Sequence, residues 1–217
     1  MNEKTDYYSD LLYLVKSDGN LLQYVNSQTT EICIAAVIDR KEALQYVKEQ
    51  TFEICLAAVH ADSDAIKYVD KQKVTETQYK ELCLTAVVNN FSSLQYIQNH
   101  TFELCHAAIV GNRYGLQYVR KDNLTEEQYK RIAILAVRDD GTALQYVRNP
   151  SFEVCMESVK AYGSSLQFIN ADHFEADQYF QLCKMAVMDD SDALKYVDEK
   201  AFSAEQYFTI CKLLHNF

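Results

Sequence analysis

The seven cysteines of the chain are the residues whose chemistry could most readily define a site. They recur at one position of a repeated motif, and Ala133 occupies that position in one copy. No Cys-x-x-Cys pair of the kind that holds zinc is present. Equivalent positions on neighbouring packed helices lie about 10 Å apart, which exceeds the roughly 7 Å between Cα atoms that a disulfide permits. The pattern therefore predicts small, buried, apolar side chains and no metal site.

The five histidines offer no second route to catalysis. They fall at different positions of the repeat and share no spacing, so no nucleophile–base pair can be built on them. The chain also lacks a glycine-rich phosphate loop and a His-Glu-x-x-His motif. The sequence predicts no catalytic residue, no cofactor and no enzymatic activity.

A tandem repeat places the cysteines. Its first half, Glu-Ile-Cys-x-x-Ala-Val, recurs nine times with variations, and its second half, Leu-Gln-Tyr-Val, recurs eight times at steps of 22 or 28 residues. In the copy at 51–69, apolar residues at helical spacing leave only a narrow polar strip at Glu53, as in a helix buried between neighbours. The second half is predicted to be an amphipathic cover helix, with Lys67 opposite its apolar side. Because one pair cannot bury these faces alone, we predict an all-α fold, an α-solenoid of tandem helix pairs with 22/28-residue repeats.

Capping residues predict where the helices begin. An Asp or Asn precedes six of the second helices, at Asp18, Asp62, Asn90, Asn112, Asp140 and Asp190. Asp39 is expected to stand in for Arg40 ahead of another. Capping boxes open the longer first helices, at Thr75 with Gln78, Thr125 with Gln128, and Ser203 with Gln206. The six extra residues of the 28-residue copies are therefore predicted to add about one and a half helical turns rather than a loop.

The unbroken repeat predicts a single domain over residues 1–217. Its units are expected near residues 1–26, 27–48, 49–71, 72–98, 99–120, 121–148, 149–170 and 171–198, with a C-terminal helix at 201–217. No cover helix follows that last helix, so Ile210, Leu213, Leu214 and Phe217 either pack on the eighth unit or leave an apolar strip. We predict a monomer, with a homodimer through the C-terminal helix as the open alternative.

Composition bears on compartment and partner. No run of 18 apolar residues occurs, so no membrane span is predicted, and the polar, acidic N-terminus predicts no secretory signal. Seven unpaired cysteines suit a reducing compartment, so we expect a cytoplasmic protein, or one in the host cytoplasm if it is viral. The net charge of −10 argues against direct nucleic-acid binding and favours a protein partner.

The sixth unit departs from the pattern. Five of the six arginines lie between positions 113 and 148, and this segment has a net charge of +2 against −12 for the rest of the chain. Arg131 stands where other copies carry Glu, and arginine is enriched at the centres of interfaces. The candidate partner-binding residues are Arg113, Arg120, Lys121, Lys130, Arg131, Arg138 and Arg148. The alternative is that they only pair with nearby carboxylates.

Three further sets of side chains recur in register. Glutamates line one edge of the first helices, at Glu31, Glu53, Glu81, Glu103 and Glu153. Glutamines line the outside of the second helices, at Gln23, Gln45, Gln95, Gln117, Gln145 and Gln167. Tyrosines open the longer first helices, at Tyr79, Tyr129, Tyr179 and Tyr207. Each charged or polar row is either a binding face or solvated repeat surface, and the tyrosines are either partner anchors or rings at the edge of the core.

Segments such as EQTFEICLAAV (Glu49 to Val59) and ALQYV (Ala43 to Val47, Ala143 to Val147) resemble a short helical repeat family of unknown function. That family occurs in tandem arrays in bacterial, phage and giant-virus proteins. The resemblance covers nearly the whole chain and implies a helical repeat without implying an activity. The family's usual Asn-Gly turn is not kept, since the turn reads Asp62-Ser63 in one copy, and the 28-residue copies are a further departure.

Two functions are consistent with these features. The predicted function is a non-enzymatic protein–protein interaction scaffold or adaptor. The alternative is a small acidic phage or viral inhibitor that blocks a host nuclease or defence complex by occupying its basic nucleic-acid-binding surface. Affinity that falls steeply with salt would favour the inhibitor over a binder that relies on shape.

Overall fold

The computed structural model describes residues 3–213, with side chains from residue 8 onward, and these residues form helices and no β-strand. The described part of the chain contains nine α-helices, which are α1 (Glu3–Ser17), α2 (Thr30–Asp39), α3 (Phe52–Ala61), α4 (Glu76–Asn89), α5 (Phe102–Gly111), α6 (Glu126–Asp139), α7 (Phe152–Ala161), α8 (Ala176–Asp189) and α9 (Ala204–Lys212). The predicted all-α repeat fold is confirmed.

The second helix of each pair is a 3-10 helix of six residues. These helices are Gly19–Tyr24, Lys41–Tyr46, Ser63–Tyr68, Phe91–Tyr96, Arg113–Tyr118, Gly141–Tyr146, Gly163–Phe168 and Ser191–Tyr196. Six residues make two turns at three residues per turn. Val69, which follows one of them, is already extended (φ −71°, ψ 121°), because the chain leaves the helix there to begin the next unit. The expected burial is confirmed, with Ala65 and Ile66 buried and Lys67 exposed.

The predicted caps are confirmed, with one correction. The side chain of Asp62 accepts a hydrogen bond from the Asp64 N–H at 2.9 Å, and the other five predicted Asp and Asn caps do the same two residues ahead. The three capping boxes are also present. The expectation for Asp39 was wrong, since its carboxylate accepts the N–H of Gly19, at 2.8 Å, in the preceding 3-10 helix.

The 28-residue copies extend their first helix by about one turn. Helices α4, α6 and α8 have 14 residues, whereas α2, α3, α5 and α7 have 10. Four extra residues enter the helix, and the other two lengthen the connection that precedes it. The predicted gain of one and a half turns is therefore partly wrong, because the cap at Thr75 starts α4 after that connection.

The chain separates into two compact units, Met1–Gly111 and Asn112–Phe217. In the first unit, α1 to α5 pack in chain order, each on the next, and their 3-10 helices form a second layer that packs in the same order. In the second unit, α6 to α9 and their 3-10 helices repeat this arrangement. Each unit is thus a two-layer stack of helix pairs, while the single domain remains a prediction.

The core lies between the two layers of each unit. It is built from small and branched side chains such as Ala58, Val59 and Leu94, all without exposed area. Six of the seven cysteines are buried, Cys211 is half-buried, and all seven are free thiols. The cysteine position therefore holds a small apolar side chain, as predicted.

The C-terminal helix is described as far as its first three turns. Ile210 is fully buried and Leu213 is half-buried, whereas Leu214 and Phe217 lie outside the described residues. Within residues 3–213, no helix combines the length and the apolar character that crossing a bilayer requires.

Candidate functional site

The α-helices of the first unit share an outward face that is acidic at one end and apolar at the other. Residues i, i+3, i+4 and i+7 lie on one side of an α-helix. In α2 these residues are Glu31, Ile34, Ala35 and Ile38, all of them exposed or half-buried. We call the surface formed by these positions in α2 to α5 the outer face.

The apolar end of the outer face consists of Ile38, Val88 and Val110, which we call the apolar row. Their exposed fractions are 58%, 61% and 66%, and His60 holds the same position in α3. Single exposed aliphatic side chains are ordinary, but Val88 and Val110 hold one repeat position on the packed helices α4 and α5 and form a patch there, while His60 of α3 separates Ile38 from it. Such a patch is typical of a surface that another molecule covers.

The other end of the outer face is an acidic row made of Glu31, Glu53, Glu81 and Glu103, all exposed. Glu31 accepts a hydrogen bond from the Tyr8 hydroxyl at 2.7 Å. For the other three, no lysine or arginine nitrogen of the described residues lies within 4.0 Å of the carboxylate. Most of the acidic row is therefore uncompensated charge beside apolar surface.

A groove of about 440 Å³ opens between α4 and α5, next to this row. We call it the α4/α5 groove. Its walls include Tyr79, Leu84 and Leu104, and its rim carries Glu81 and Glu103. The remaining lining residues are Glu76, Lys80, Cys83, Ile97, Asn99 and Thr101.

Local chemistry leaves the rim of the α4/α5 groove acidic. Lys80, the lysine at the rim, pairs with Glu76 at 2.7 Å instead of with Glu81 or Glu103. At the wall, burial raises the pKa of the Cys83 thiol to about 11, so the group is neutral near pH 7. The groove therefore offers apolar contact and negative charge, and its cysteine is not poised as a nucleophile.

The second unit contains a copy of this groove, 50 residues further along the chain, between α6 and α7. This α6/α7 groove has a volume of about 250 Å³. Lys130 lies between two carboxylates there, with its Nζ 2.9 Å from Glu127 and 2.9 Å from Glu153, and these contacts raise its pKa. Arg131 takes the place of Glu81. The copy has thus lost the uncompensated acidic rim.

The floor of the α6/α7 groove also differs. Tyr129 is buried, and its hydroxyl accepts the Arg148 N–H at 3.1 Å, whereas Tyr79 at the equivalent position is half-buried. Asn149, in the connection that lines the groove, has a left-handed backbone (φ 51°) just before Pro150. This conformation is tolerated by Asn better than by most residues.

The structure places two of the seven predicted basic residues near the C-terminal end of α6. Arg113 pairs with Asp139 at 3.2 Å and with Asp140 at 2.9 Å, and these contacts raise its pKa. Arg138 pairs with Glu157 at 2.7 Å. Both guanidinium groups therefore have carboxylate partners within the second unit.

The other predicted residues lie along α6 and at its N-terminal end. Lys121 pairs with Glu126 at 2.9 Å. Arg120, Arg131 and Arg148 have exposed side chains. Together with Lys130, four of the seven are paired with nearby carboxylates, and the set is spread along a helix about 20 Å long rather than gathered in one cluster. Their role in partner binding stays a prediction.

Sequence reasoning missed the glutamines that join consecutive repeats. In the first unit, Gln50 donates from Nε2 to the carbonyl oxygens of Leu44, at 2.9 Å, and Tyr68, at 3.1 Å. Its Oε1 accepts the Asp70 N–H at 2.8 Å. Gln28 makes the equivalent three bonds one repeat earlier. The Gln-Thr pair before each of these helices was the feature that could have revealed them.

In the second unit, tyrosine hydroxyls instead of glutamine side chains accept the equivalent backbone N–H groups. Tyr129 accepts the N–H of Arg148 and Tyr179 accepts the N–H of Asp198, both at 3.1 Å. These are the backbone groups equivalent to the Asp70 N–H of the first unit. Both tyrosines are buried, which identifies them as core residues rather than partner anchors.

Among residues 8–213, no group of three His, Cys, Asp or Glu side chains is arranged to hold a metal ion. No protein-family model matches the chain, and no curated protein or solved structure matches it. The resemblance to the short helical repeat family therefore remains a prediction.

Proposed function

We propose that the protein is a non-enzymatic helical-repeat scaffold or adaptor that binds another protein through the outer face of its first unit. The observation that carries this proposal is the apolar row, in which Ile38, Val88 and Val110 are each more than half exposed at one repeat position. Covering such a patch removes apolar surface from water, which drives most protein association. The exposed glutamates of the acidic row lie at the other end of the same face, as polar residues border a protein interface.

A pull-down from cells of the source organism, at low and high salt, tests this function. We expect the tagged full chain to retain one protein at both salt concentrations, because apolar contacts are not screened. The variant Val88→Glu/Val110→Glu should lose that protein, since it introduces charge into the apolar row. The control Gln23→Glu/Gln45→Glu makes the same charge change on exposed glutamines of the 3-10 layer and should retain it. An empty wild-type pull-down at both salt concentrations would overturn the function.

The basic residues of the second unit remain part of the proposal as a second contact area for an acidic surface. Arg131 and Arg138 are seven residues apart on α6, so both point from one side of that helix. The double variant Arg131→Glu/Arg138→Glu should weaken retention of the same partner. Unchanged retention would remove these residues from the binding surface and leave the outer face of the first unit as the contact.

A second candidate function is the small acidic inhibitor of a phage or virus, which would occupy a basic nucleic-acid-binding surface of a host nuclease or defence complex. The observation that favours it is that Glu53, Glu81 and Glu103 have no lysine or arginine partner within residues 8–213. Retention of nucleic-acid-binding proteins at low salt only would support the inhibitor. Retention that persists at high salt supports the scaffold.

A further inference from the structure

We propose that the outer face of the first unit binds a basic amphipathic α-helix of its partner, which lies across α2 to α5 with its cations on the acidic row and its apolar side over the α4/α5 groove. This inference rests on the proposed function and specifies the chemistry of the partner. The supporting observations are the spacing of the acidic row, the α4/α5 groove beside it and the different surface of the second unit.

The spacing of the acidic row suits a helix. Its four members occupy one repeat position on helices that pack consecutively, α2 on α3, α3 on α4 and α4 on α5. Packed helices lie about 8–10 Å apart, and seven residues of an α-helix rise about 10.5 Å. A helix that carries Lys or Arg every seven residues therefore presents one cation to each member of the row.

An extended segment fits the row less well. Three residues of a β-strand also span about 10 Å, but successive side chains point to opposite sides. Cations three residues apart on a strand would thus alternate away from the row. Seven residues are about two turns of an α-helix and return to the same side, so a helical partner keeps every cation on the row.

The apolar side of such a helix would meet apolar surface. Leu56 and Leu84 lie three residues after the acidic row, on the same side of α3 and α4, and both are half-buried. The α4/α5 groove opens beside Glu81 and Glu103, with Tyr79 among its apolar walls. An aliphatic or aromatic side chain of the partner can enter this groove while a neighbouring lysine reaches the rim, which is how amphipathic helices dock in grooves.

The α6/α7 groove provides the contrast. There Lys130 already contacts Glu127 and Glu153, so the chain itself supplies the cation that a partner would bring. Arg131, in place of a glutamate, would repel an approaching basic helix. The inference therefore predicts binding at one groove and not at its copy, although the two are built from equivalent residues.

A labelled peptide tests the inference by fluorescence anisotropy at moderate salt. The probe has about 22 residues, enough to reach all four members of the row, with lysines at seven-residue spacing beside a stripe of leucines. A scrambled peptide of the same composition controls for charge alone. The variant Glu81→Gln/Glu103→Gln removes rim charge at the α4/α5 groove. The variant Glu127→Gln/Glu153→Gln removes two charges at the copy, so both variants change the net charge of −10 equally.

We expect wild type to bind the patterned peptide about tenfold more tightly than the scrambled one. Glu81→Gln/Glu103→Gln should weaken binding of the patterned peptide about tenfold, and Glu127→Gln/Glu153→Gln by less than about twofold. Equal losses in the two variants, or equal binding of the two peptides, would show attraction to overall charge and overturn the inference. A wild-type chain that retains a protein in the pull-down but binds neither peptide would also overturn it, while leaving the proposed function in place.

Discussion

The α4/α5 and α6/α7 grooves show how the same scaffold yields two different surfaces. Both lie between a 14-residue helix and a 10-residue helix, and most of their lining residues correspond at a separation of 50 positions. In the first, Lys80 pairs within its own helix and leaves the rim acidic. In the second, Lys130 bridges α6 and α7. The change of lysine partner and the replacement of Glu81 by Arg131 thus separate an uncompensated rim from a neutralised one.

The same contrast extends to the contacts that hold consecutive repeats together. The first unit uses the side chains of the half-buried Gln28 and the buried Gln50, each of which makes three hydrogen bonds to backbone groups. The second unit uses the hydroxyls of Tyr129 and Tyr179, which each accept one backbone N–H. The repeat therefore determines which backbone groups need a hydrogen-bond partner. The two units provide that partner with different side chains.

The largest expected effect is a loss of unfolding free energy when Gln50 of the first unit is replaced. Gln50→Leu removes the donor to the Tyr68 carbonyl oxygen, the acceptor of the Asp70 N–H and one of two donors to the Leu44 carbonyl oxygen, and it should lower the free energy of unfolding by about 3 kcal/mol. Gln45→Leu makes the same chemical change at an exposed position and should change it by less than about 0.5 kcal/mol. Urea unfolding followed by circular dichroism measures both. Similar values for the two variants would contradict the bridging function of Gln50.

A smaller effect on the free energy of unfolding is expected for Tyr129, which has the equivalent hydrogen-bonding role in the second unit. Tyr129→Phe removes the acceptor of the Arg148 N–H and should cost about 1–2 kcal/mol of unfolding free energy. Tyr79→Phe, at the equivalent position of the first unit, should cost less, because no backbone N–H depends on its half-buried hydroxyl. Urea unfolding of the two variants compares the grooves directly. A larger loss for Tyr79→Phe would reverse the comparison.

The residue at the cysteine position of α4 and α6, Cys83 and Ala133, should affect how stability responds to alkaline pH. Burial raises the pKa of Cys83 to about 11, above its ordinary value of 9.0. A raised thiol pKa stabilises the fold below pH 9, and this contribution is lost as the pH rises through 11, by about 1 kcal/mol at pH 10. Cys83→Ala should therefore lose less stability than wild type between pH 8 and pH 10 in urea unfolding. Ala133→Cys should lose more, and parallel pH profiles for all three chains would refute this account.

The smallest expected effect converts the second groove toward the first. Lys130→Gln/Arg131→Glu frees Glu153 and restores a glutamate at the rim of the α6/α7 groove. We expect affinity for the patterned peptide to rise about threefold, because a second acidic groove becomes available. The control Lys200→Gln/Lys195→Glu changes the net charge equally at exposed positions away from the rim. An equal rise in the control would show that the gain comes from total charge.

The repeat, its caps and its core could be predicted because they depend on local pattern. Thr75 and Asp62 hydrogen-bond to backbone groups only two or three residues ahead, and cysteine occupies its position in seven of the nine copies. The 3-10 geometry of the second helices could not be predicted in this way. Over five or six residues, periods of 3.0 and 3.6 bury nearly the same side chains, so the pattern does not separate them.

The surface chemistry was harder to predict because it depends on contacts between helices. The sequence identified Arg131 as a departure from the repeat, yet the more informative residue is Lys130, whose partner Glu153 lies on another helix. Asp39 was assigned to the wrong 3-10 helix for the same reason, since its partner Gly19 is 20 residues away. The spacing of apolar residues predicts the direction in which a side chain points, but it does not identify the residue that the side chain contacts.

The measurement that tests the central claim most directly is a backbone amide NMR titration of the full chain with the patterned lysine–leucine peptide. The account predicts that shift changes concentrate on α3 to α5, around Glu53, Glu81 and Glu103, and spare the equivalent residues Arg131 and Glu153 of the second unit. Changes centred on α6 and α7, or spread evenly over acidic positions of both units, would contradict the claim that the two grooves differ in binding.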